Sequence, residues 1–186
     1  LVFGYVVGAI PTGYFFFILF FNSDITLQGS GNIGASNVAR VFGKKYFLCI
    51  LLLDALKAYG ALACAQWLII VYSLPAWLLY VVIAGLLVGN GYSVFLRFKG
   101  GKGVATTCGI VIFSLSWQLA VAFIGVWLGI VAVTKAPFIA SLTSMLLLLT
   151  GLLWYGLSEQ FALMSIIFAW LLFRHSTNVA AWLQSN

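Results

Sequence analysis

Charge is what this sequence has least of. Only 6% of its 186 residues are Asp, Glu, Lys or Arg, against roughly a quarter in an ordinary soluble domain. With 64% hydrophobic residues, such a chain has too little charge to cover a water-facing surface, and a soluble globular domain is excluded. Acids are scarcest: Asp24, Asp54 and Glu159 are the only three, and His175 is the only histidine. Three scattered acids, one histidine and no CxxC pair give no metal-ligand spacing, so neither a metal nor a cofactor is expected. Cys49, Cys64 and Cys108 lie in or beside apolar runs and read as small buried residues, and no Ser-His-Asp or Cys-His arrangement is signalled. A covalent acyl-enzyme is thereby disfavoured. The basic excess, formally +6, is split among short loops and does not suggest nucleic acid.

Long apolar runs are what the sequence has instead. Seven segments stand out: 1–21, 46–72, 76–94, 104–116, 117–134, 138–157 and 160–174. A spanning helix needs about 20 such residues; the fourth segment is short and reads as a partial or tilted span. Turn residues or charges separate them, as in Ser73-Leu74-Pro75 and Lys135-Ala136-Pro137. Leu1–Phe21 is longer than a signal h-region of about 7–15 residues and lacks a basic flank, so it reads as a retained span; the absence of Met at position 1 reads as a trimmed start. The expectation is an all-α polytopic membrane protein of seven transmembrane helices with short motif loops, forming a single domain over 1–186.

Parity orients it. If the segments alternate in direction, one side holds Arg40, Lys44, Lys45, Arg97, Lys99, Lys102 and Lys135, with Arg174 at its boundary, while the opposite loops hold only Glu159. Lys and Arg concentrate in cytoplasmic loops, so the basic side is expected to be cytoplasmic, with the N-terminus outside and the C-terminus inside.

Four polar constellations interrupt the apolar sequence. Gly29-Ser30-Gly31-Asn32-Ile33-Gly34-Ala35-Ser36-Asn37-Val38-Ala39-Arg40 combines glycines that permit close approach of N–H groups with a short helix, capped by Ser36 and running to Gly43, whose N-terminus suits an anion. Asn37 and Arg40 share a face, and Arg40 can grip a phosphate bidentately. Read alone, these residues also suit a solvated turn beside a positive anchor. Arg97-Phe98-Lys99-Gly100-Gly101-Lys102-Gly103 leads into an apolar helix and again joins N–H groups to positive charge. It is not a nucleotide-binding P-loop, because Leu96 stands where the first Gly would be and Gly103 follows Lys102. Its plainer reading is a basic loop touching anionic membrane lipid. Arg174-His175-Ser176-Thr177-Asn178 closes the last span, where His175 is either an interfacial anchor or a group suited to proton transfer near neutrality. Asp54 and Lys57, three apart inside the second span, read as a buried pair with a structural role.

Together these motifs resemble the bacterial integral-membrane acyl-phosphate:glycerol-3-phosphate acyltransferases over almost the whole chain. Ser30 to Arg40 matches the family's first motif, Phe98-Lys99-Gly100-Gly101-Lys102-Gly103-Val104-Ala105-Thr106 its second, Arg174-His175 with Asn178 its third, and Asp54 and Lys57 fit its LDxxK pattern. The chain departs from the family at Asn90, where His is common, at Ser93, where Pro is usual, and after Asn178. The resemblance implies a cytoplasmic active site in a bacterial inner membrane and transfer of a fatty acyl group from acyl phosphate to the 1-hydroxyl of glycerol 3-phosphate. It implies Ser30, His175 and Asn178 as the groups orienting the attacking hydroxyl. Asn37, Arg40, Lys102 and the Gly100, Gly101 and Gly103 loop would hold phosphate, with Asp54, Lys57 and Lys99 in support, and the protein is expected to act as a monomer. The competing reading is a transporter for an organic phosphate or phospholipid built from the same loops.

Overall fold

The structure is a computed structural model, and it describes residues 1–185. It is all-helical, and two compact units divide it: Leu1–Phe113 and Ser114 onward.

The first unit holds α1 (Val2–Ala9), α2 (Thr12–Phe21), α3 (Ala35–Phe42), α4 (Lys45–Val71), α5 (Leu78–Gly91) and most of α6 (Val104–Ser114). The second holds α7 (Trp117–Thr134), α8 (Pro137–Trp154) and α9 (Ser158–Ser185). The segment boundaries at 117 and 134 coincide with those of α7, and those of α4 and α8 lie within a few residues of the expected ones. The seven-span partition is not reproduced by helix length alone. Among the described residues, four stretches are long and apolar enough to cross a membrane: Val2–Phe21, Lys45–Val71, Trp117–Thr134 and Pro137–Trp154. At 1.5 Å per residue the 11-residue α6 is about 16 Å long, roughly half of the 30 Å hydrocarbon core. By helix length alone α6 therefore falls short of a full span.

The first stretch is also not one helix. Pro11 has no N–H, and its ring clashes with the carbonyl four residues back, so α1 stops at Ala9 and α2 begins at Thr12. The break leaves carbonyls inside apolar surroundings, and side chains from α4 and from the segment after α5 satisfy them. Lys57 Nζ donates to the carbonyls of Gly8 (3.2 Å) and Ile10 (2.7 Å). The Ser93 hydroxyl donates to that of Ala9 (2.5 Å). On the α2 side, the Thr12 hydroxyl donates to Asp54 Oδ1 (2.5 Å), and Asp54 pairs with Lys57 at 2.9 Å. The cation thus sits at a helix C-terminus and the carboxylate at a helix N-terminus, which is the favourable sense for both dipoles. Expected as a structural pair, Asp54 and Lys57 are the clamp on this break.

Small residues let α1 lie against α5. A Cβ on Gly4 or Gly8 would land on the backbone of Val82 or Leu86, and one on Gly85 or Gly89 on the backbone of α1 at Leu1, Tyr5 or Ala9. Both helices carry glycine at a four-residue spacing, the pattern that brings helices into close contact without large side chains. Farther along, Phe17 of α2, Phe42 of α3 and Tyr46 of α4 meet in an aromatic cluster, with the Phe17 and Phe42 rings stacked at 4.2 Å between centroids.

In the second unit the Trp127 Nε1–H donates to Ser141 Oγ (3.0 Å), and that hydroxyl donates to the Pro137 carbonyl (2.7 Å), tying α7 to the first turn of α8. The last helix extends to Ser185, well past the expected end at 174.

Replacing Gly89 by Ala should lower the thermal midpoint of the detergent-solubilised chain, because the added methyl meets backbone that has nowhere to retreat. Gly60→Ala, where nothing lies within 4 Å of the new methyl, should leave it unchanged or slightly raised. Equal midpoints for the two variants would mean that the α1–α5 contact is not close.

Candidate active site

The segment between α2 and α3 is built around one side chain. Asn37 lies in α3 and is only 2% exposed. Its Oδ1 accepts from the Ser30 N–H (2.8 Å), and its Nδ2 donates to the carbonyls of Gln28 and Asn32 (2.9 Å each). One amide therefore replaces three backbone partners that the loop 28–32 does not find in itself. Gly29 and Gly31 take left-handed φ of +58° and +69°, which lets the chain turn tightly enough for those bonds to close. Asn32 Oδ1 accepts from the Gly34 N–H (2.8 Å), an Asx turn leading into the helix. Underneath, Ile25, Ile33, Ala35 and Val38 pack with Phe17 and Ile50. Gly13 of α2 leaves room for the Ile33 carbonyl, which a Cβ there would strike.

Two expectations change here. Ser36 does not cap α3: the cap position is Gly34, with no side-chain cap bond, and Ser36 lies exposed inside the first turn. Asn37 has its amide committed to the loop, so its position makes it the scaffold on which Ser30 and Arg40, both exposed, are held. The expected end at Gly43 is observed, with Gly43 at the C-cap.

The second loop rests on the C-terminus of α5. The Gly101 N–H donates to the Asn90 carbonyl (2.8 Å), and Gly100 lies against Asn90 and Gly91 where a Cβ would collide with their backbone. These glycines are needed first for contact with α5. The Gly101 N–H is thereby committed to α5. Lys102 is half-buried, and Lys99 and Arg97 are exposed. Leu96, just ahead of the loop, packs against the cluster under the first loop, within the same unit as Ser30, Arg40 and Lys102.

The third motif sits in the interior of α9, not at its end. Met164, Ile167 and Leu171 are buried at helical spacing, and the same face continues into His175, 3% exposed, with Arg174 and Asn178 half-buried beside it. His175 and Asn178 share a face, as the spacing predicts, and the Phe138 ring lies 6.4 Å from the imidazole. A buried histidine on the packing face is not a lipid-headgroup anchor. Among the described residues no three His, Cys, Asp or Glu side chains come together as a metal would need.

Ser93 carries more than the sequence pattern indicates. Its hydroxyl holds the α1 carbonyl end, while position 90 holds the glycine loop through its backbone carbonyl. The signal that could have found Ser93 is Pro11, which frees carbonyls for which partners have to be found.

The model of one family, described as glycerol-3-phosphate acyltransferase, matches residues 1–185. The chain belongs to that family. A glycerol-3-phosphate acyltransferase of Mesorhizobium japonicum is 36% identical over 182 residues, covering 97% of this chain and 89% of that protein. One of Synechococcus sp. (strain JA-3-3Ab) is 40% identical over 139 residues, 75% of this chain but 66% of that protein, just under two thirds of its length. The crystal structure of PlsY, an integral membrane glycerol 3-phosphate acyltransferase, in its glycerol 3-phosphate form, superposes with a TM-score of 0.84 at 32% identity over 99% of this chain and 90% of that one. A second structure of PlsY, in its lysophosphatidic acid form, gives the same TM-score at 31% identity. A family member with this fold and these apolar helices is an integral membrane protein.

Asn37→Ala should open the first loop. Amide hydrogen exchange at residues 28–32 should rise at least tenfold, as expected when a buried side chain leaves several backbone partners unsatisfied. Ser30→Ala, which removes an exposed hydroxyl, should leave exchange there near the wild-type rate. Asp54→Asn should lower stability strongly by leaving Lys57 buried without its counter-charge, about 3–5 kcal/mol in comparable sites; thermal unfolding in detergent measures it.

Proposed function

We propose that this chain is an acyl-phosphate-dependent glycerol-3-phosphate 1-O-acyltransferase of the bacterial inner membrane, a first step of phospholipid synthesis. Family membership over the whole described chain carries this reading. The presentation of Arg40, Ser30 and Lys102 by two braced loops of one unit supports it.

The chemistry follows from the two substrates. Acyl phosphate has a fatty chain and an anionic head, so its chain suits the apolar helices and its head the basic loops. Glycerol 3-phosphate is a soluble dianion. Arg40 and Lys102 neutralise and fix phosphate, and the first N–H groups of α6 face the anion at a helix N-terminus. Ser30 on the first loop orients the acceptor hydroxyl, and His175 and Asn178, which share a face of α9, carry the family's third motif and are assigned to the reaction on that ground. Its oxygen forms a bond to the acyl carbonyl carbon, the carbon–oxygen bond to phosphate breaks, and inorganic phosphate leaves with lysophosphatidic acid as the other product. The hydroxyl proton passes either to His175 or to the departing phosphate. Because an acyl phosphate is already activated, positioning is the main requirement, and orienting two reactants can lower a barrier by about 7–11 kcal/mol. The basic loops face the cytoplasm in this reading. Seven apolar segments then alternate across the bilayer, the short α5 and α6 crossing with help from the loops at their ends. The chain acts as a monomeric single membrane domain.

Purified protein given palmitoyl phosphate and glycerol 3-phosphate should release phosphate and form lysophosphatidic acid, with acyl-CoA and acyl carrier protein donors inactive. Absence of release, together with phosphate transport in liposomes, would instead support a transporter. Arg40→Ala and Lys102→Ala should each lower kcat/KM about tenfold to a hundredfold, the loss expected for one charge-assisted contact, while keeping the wild-type thermal midpoint. Near-normal turnover in both would remove them from the site.

A further inference from the structure

The segment between Asn90 and the glycine loop has an exposed face that the packing of the unit does not use. Ser93 is pinned at its base by the bond to the Ala9 carbonyl. An antiparallel bridge pairs it with Lys99. Between them a 3-10 turn, Val94–Leu96, runs into Arg97 and Phe98, two consecutive non-glycine residues with φ of +52° and +61°. Bulky residues rarely adopt this backbone, and almost never in succession. It is held here by the Phe98 N–H donating to the Ser93 carbonyl (2.8 Å) and the Lys99 N–H to the Leu96 carbonyl (3.0 Å). The loop is closed and anchored, and of its apolar residues only Leu96 turns inward.

The others point out. Val94 is 48% exposed, Phe95 52% and Phe98 63%, with the exposed cations Arg97 and Lys99 on either side of Phe98. Water alone gives no reason to present two phenyl rings and a valine on a strained loop. A lipid interface does: apolar side chains enter the boundary between headgroups and acyl chains, and basic side chains beside them reach back to phosphates. The charge is also not neutralised from within. The unit Leu1–Phe113 has two carboxylates, Asp24 and Asp54. Asp54 is held by Lys57, and Asp24 accepts from the Thr26 N–H and hydroxyl.

We infer that the Ser93–Lys99 loop is a docking finger for anionic phospholipid in the leaflet on whose face it lies. Arg97 and Lys99 bind the headgroup phosphate, and Phe95 and Phe98 lie among the upper acyl carbons. The finger leads directly into Gly100, so a bound lipid steadies the start of the glycine loop against the membrane surface.

The test uses the full chain in detergent and no acyl donor, so its outcome is independent of the transfer reaction. Native mass spectrometry titrates phosphatidylglycerol, and phosphatidylcholine of the same acyl chains, onto wild type, Arg97→Asn, Phe98→Asn and a Lys44→Asn/Lys45→Asn control. Asparagine tolerates the left-handed backbone, so the first two variants keep the loop while losing charge or ring. Wild type should prefer phosphatidylglycerol, and the preference should weaken with salt. Arg97→Asn should reduce phosphatidylglycerol affinity about fivefold, the effect of one basic residue near an anionic surface. Phe98→Asn should weaken both lipids. Equal affinity of wild type for the two lipids would overturn the assignment. So would wild-type affinity in Arg97→Asn, or a loss confined to the Lys44/Lys45 control.

Discussion

The break at Ile10–Pro11, and the buried polar clamp that makes it tolerable, is the constraint on which the first unit depends. A helix interrupted among apolar side chains exposes carbonyls that have no water to bond, and each unsatisfied group costs several kcal/mol in a hydrocarbon setting. Lys57 and Ser93 remove that cost by donating to the carbonyls, and Asp54, itself bonded by Thr12, balances the Lys57 charge. They come from α4, from the segment after α5 and from α2 itself, so satisfying the break also fixes the relative positions of these elements. The glycine contacts between α1 and α5 then become possible, because α1 is held as a separate short rod.

Both loops of the first unit inherit their position from this arrangement. Ser93 bonds the α1 carbonyl end and, through its bridge to Lys99, anchors the chain that becomes the glycine loop. Gly13, two residues after Pro11, receives the Ile33 carbonyl and so seats the loop that carries Ser30. A change at the break would therefore be felt at two places that are far apart in sequence. It also explains why charged residues occur at positions 54 and 57 of an otherwise apolar helix: their work is electrostatic complementarity to two helix ends.

The all-helical class, the positions of α4, α7 and α8, and the Asp54–Lys57 pairing were legible in the sequence, since each rests on local signals such as run length, proline at a helix start or a three-residue spacing. What was not legible depended on tertiary partners. The run 1–21 reads as one span by hydropathy, and Pro11 alone does not say whether a helix kinks or stops; that is decided by Lys57 and Ser93, which are 46 and 82 residues away. Ser36 looked like a cap because serine often is one, but the chain enters α3 through an Asx turn at Asn32, which moves the boundary to Gly34. Asn37 looked like a ligand residue because polar residues in glycine loops often are. Only the fold shows that three backbone groups claim its amide. The two glycines taken for ligand approach at 100 and 101 meet α5, a contact no spacing rule contains.

The last helix shows the same logic in the second unit. Its packing face is apolar at Met164, Ile167 and Leu171, then becomes polar at Arg174, His175 and Asn178 without changing direction. If those residues only anchored the helix at a lipid interface, they would turn outward, where a cation can reach headgroups and an imidazole can stay hydrated. Burying a histidine on a helix face exacts desolvation of both ring nitrogens, and a helix that simply needed to span would have placed leucine there. The polar continuation of an apolar stripe therefore sets His175 apart from an interfacial anchor by its position, which its being the only histidine does not.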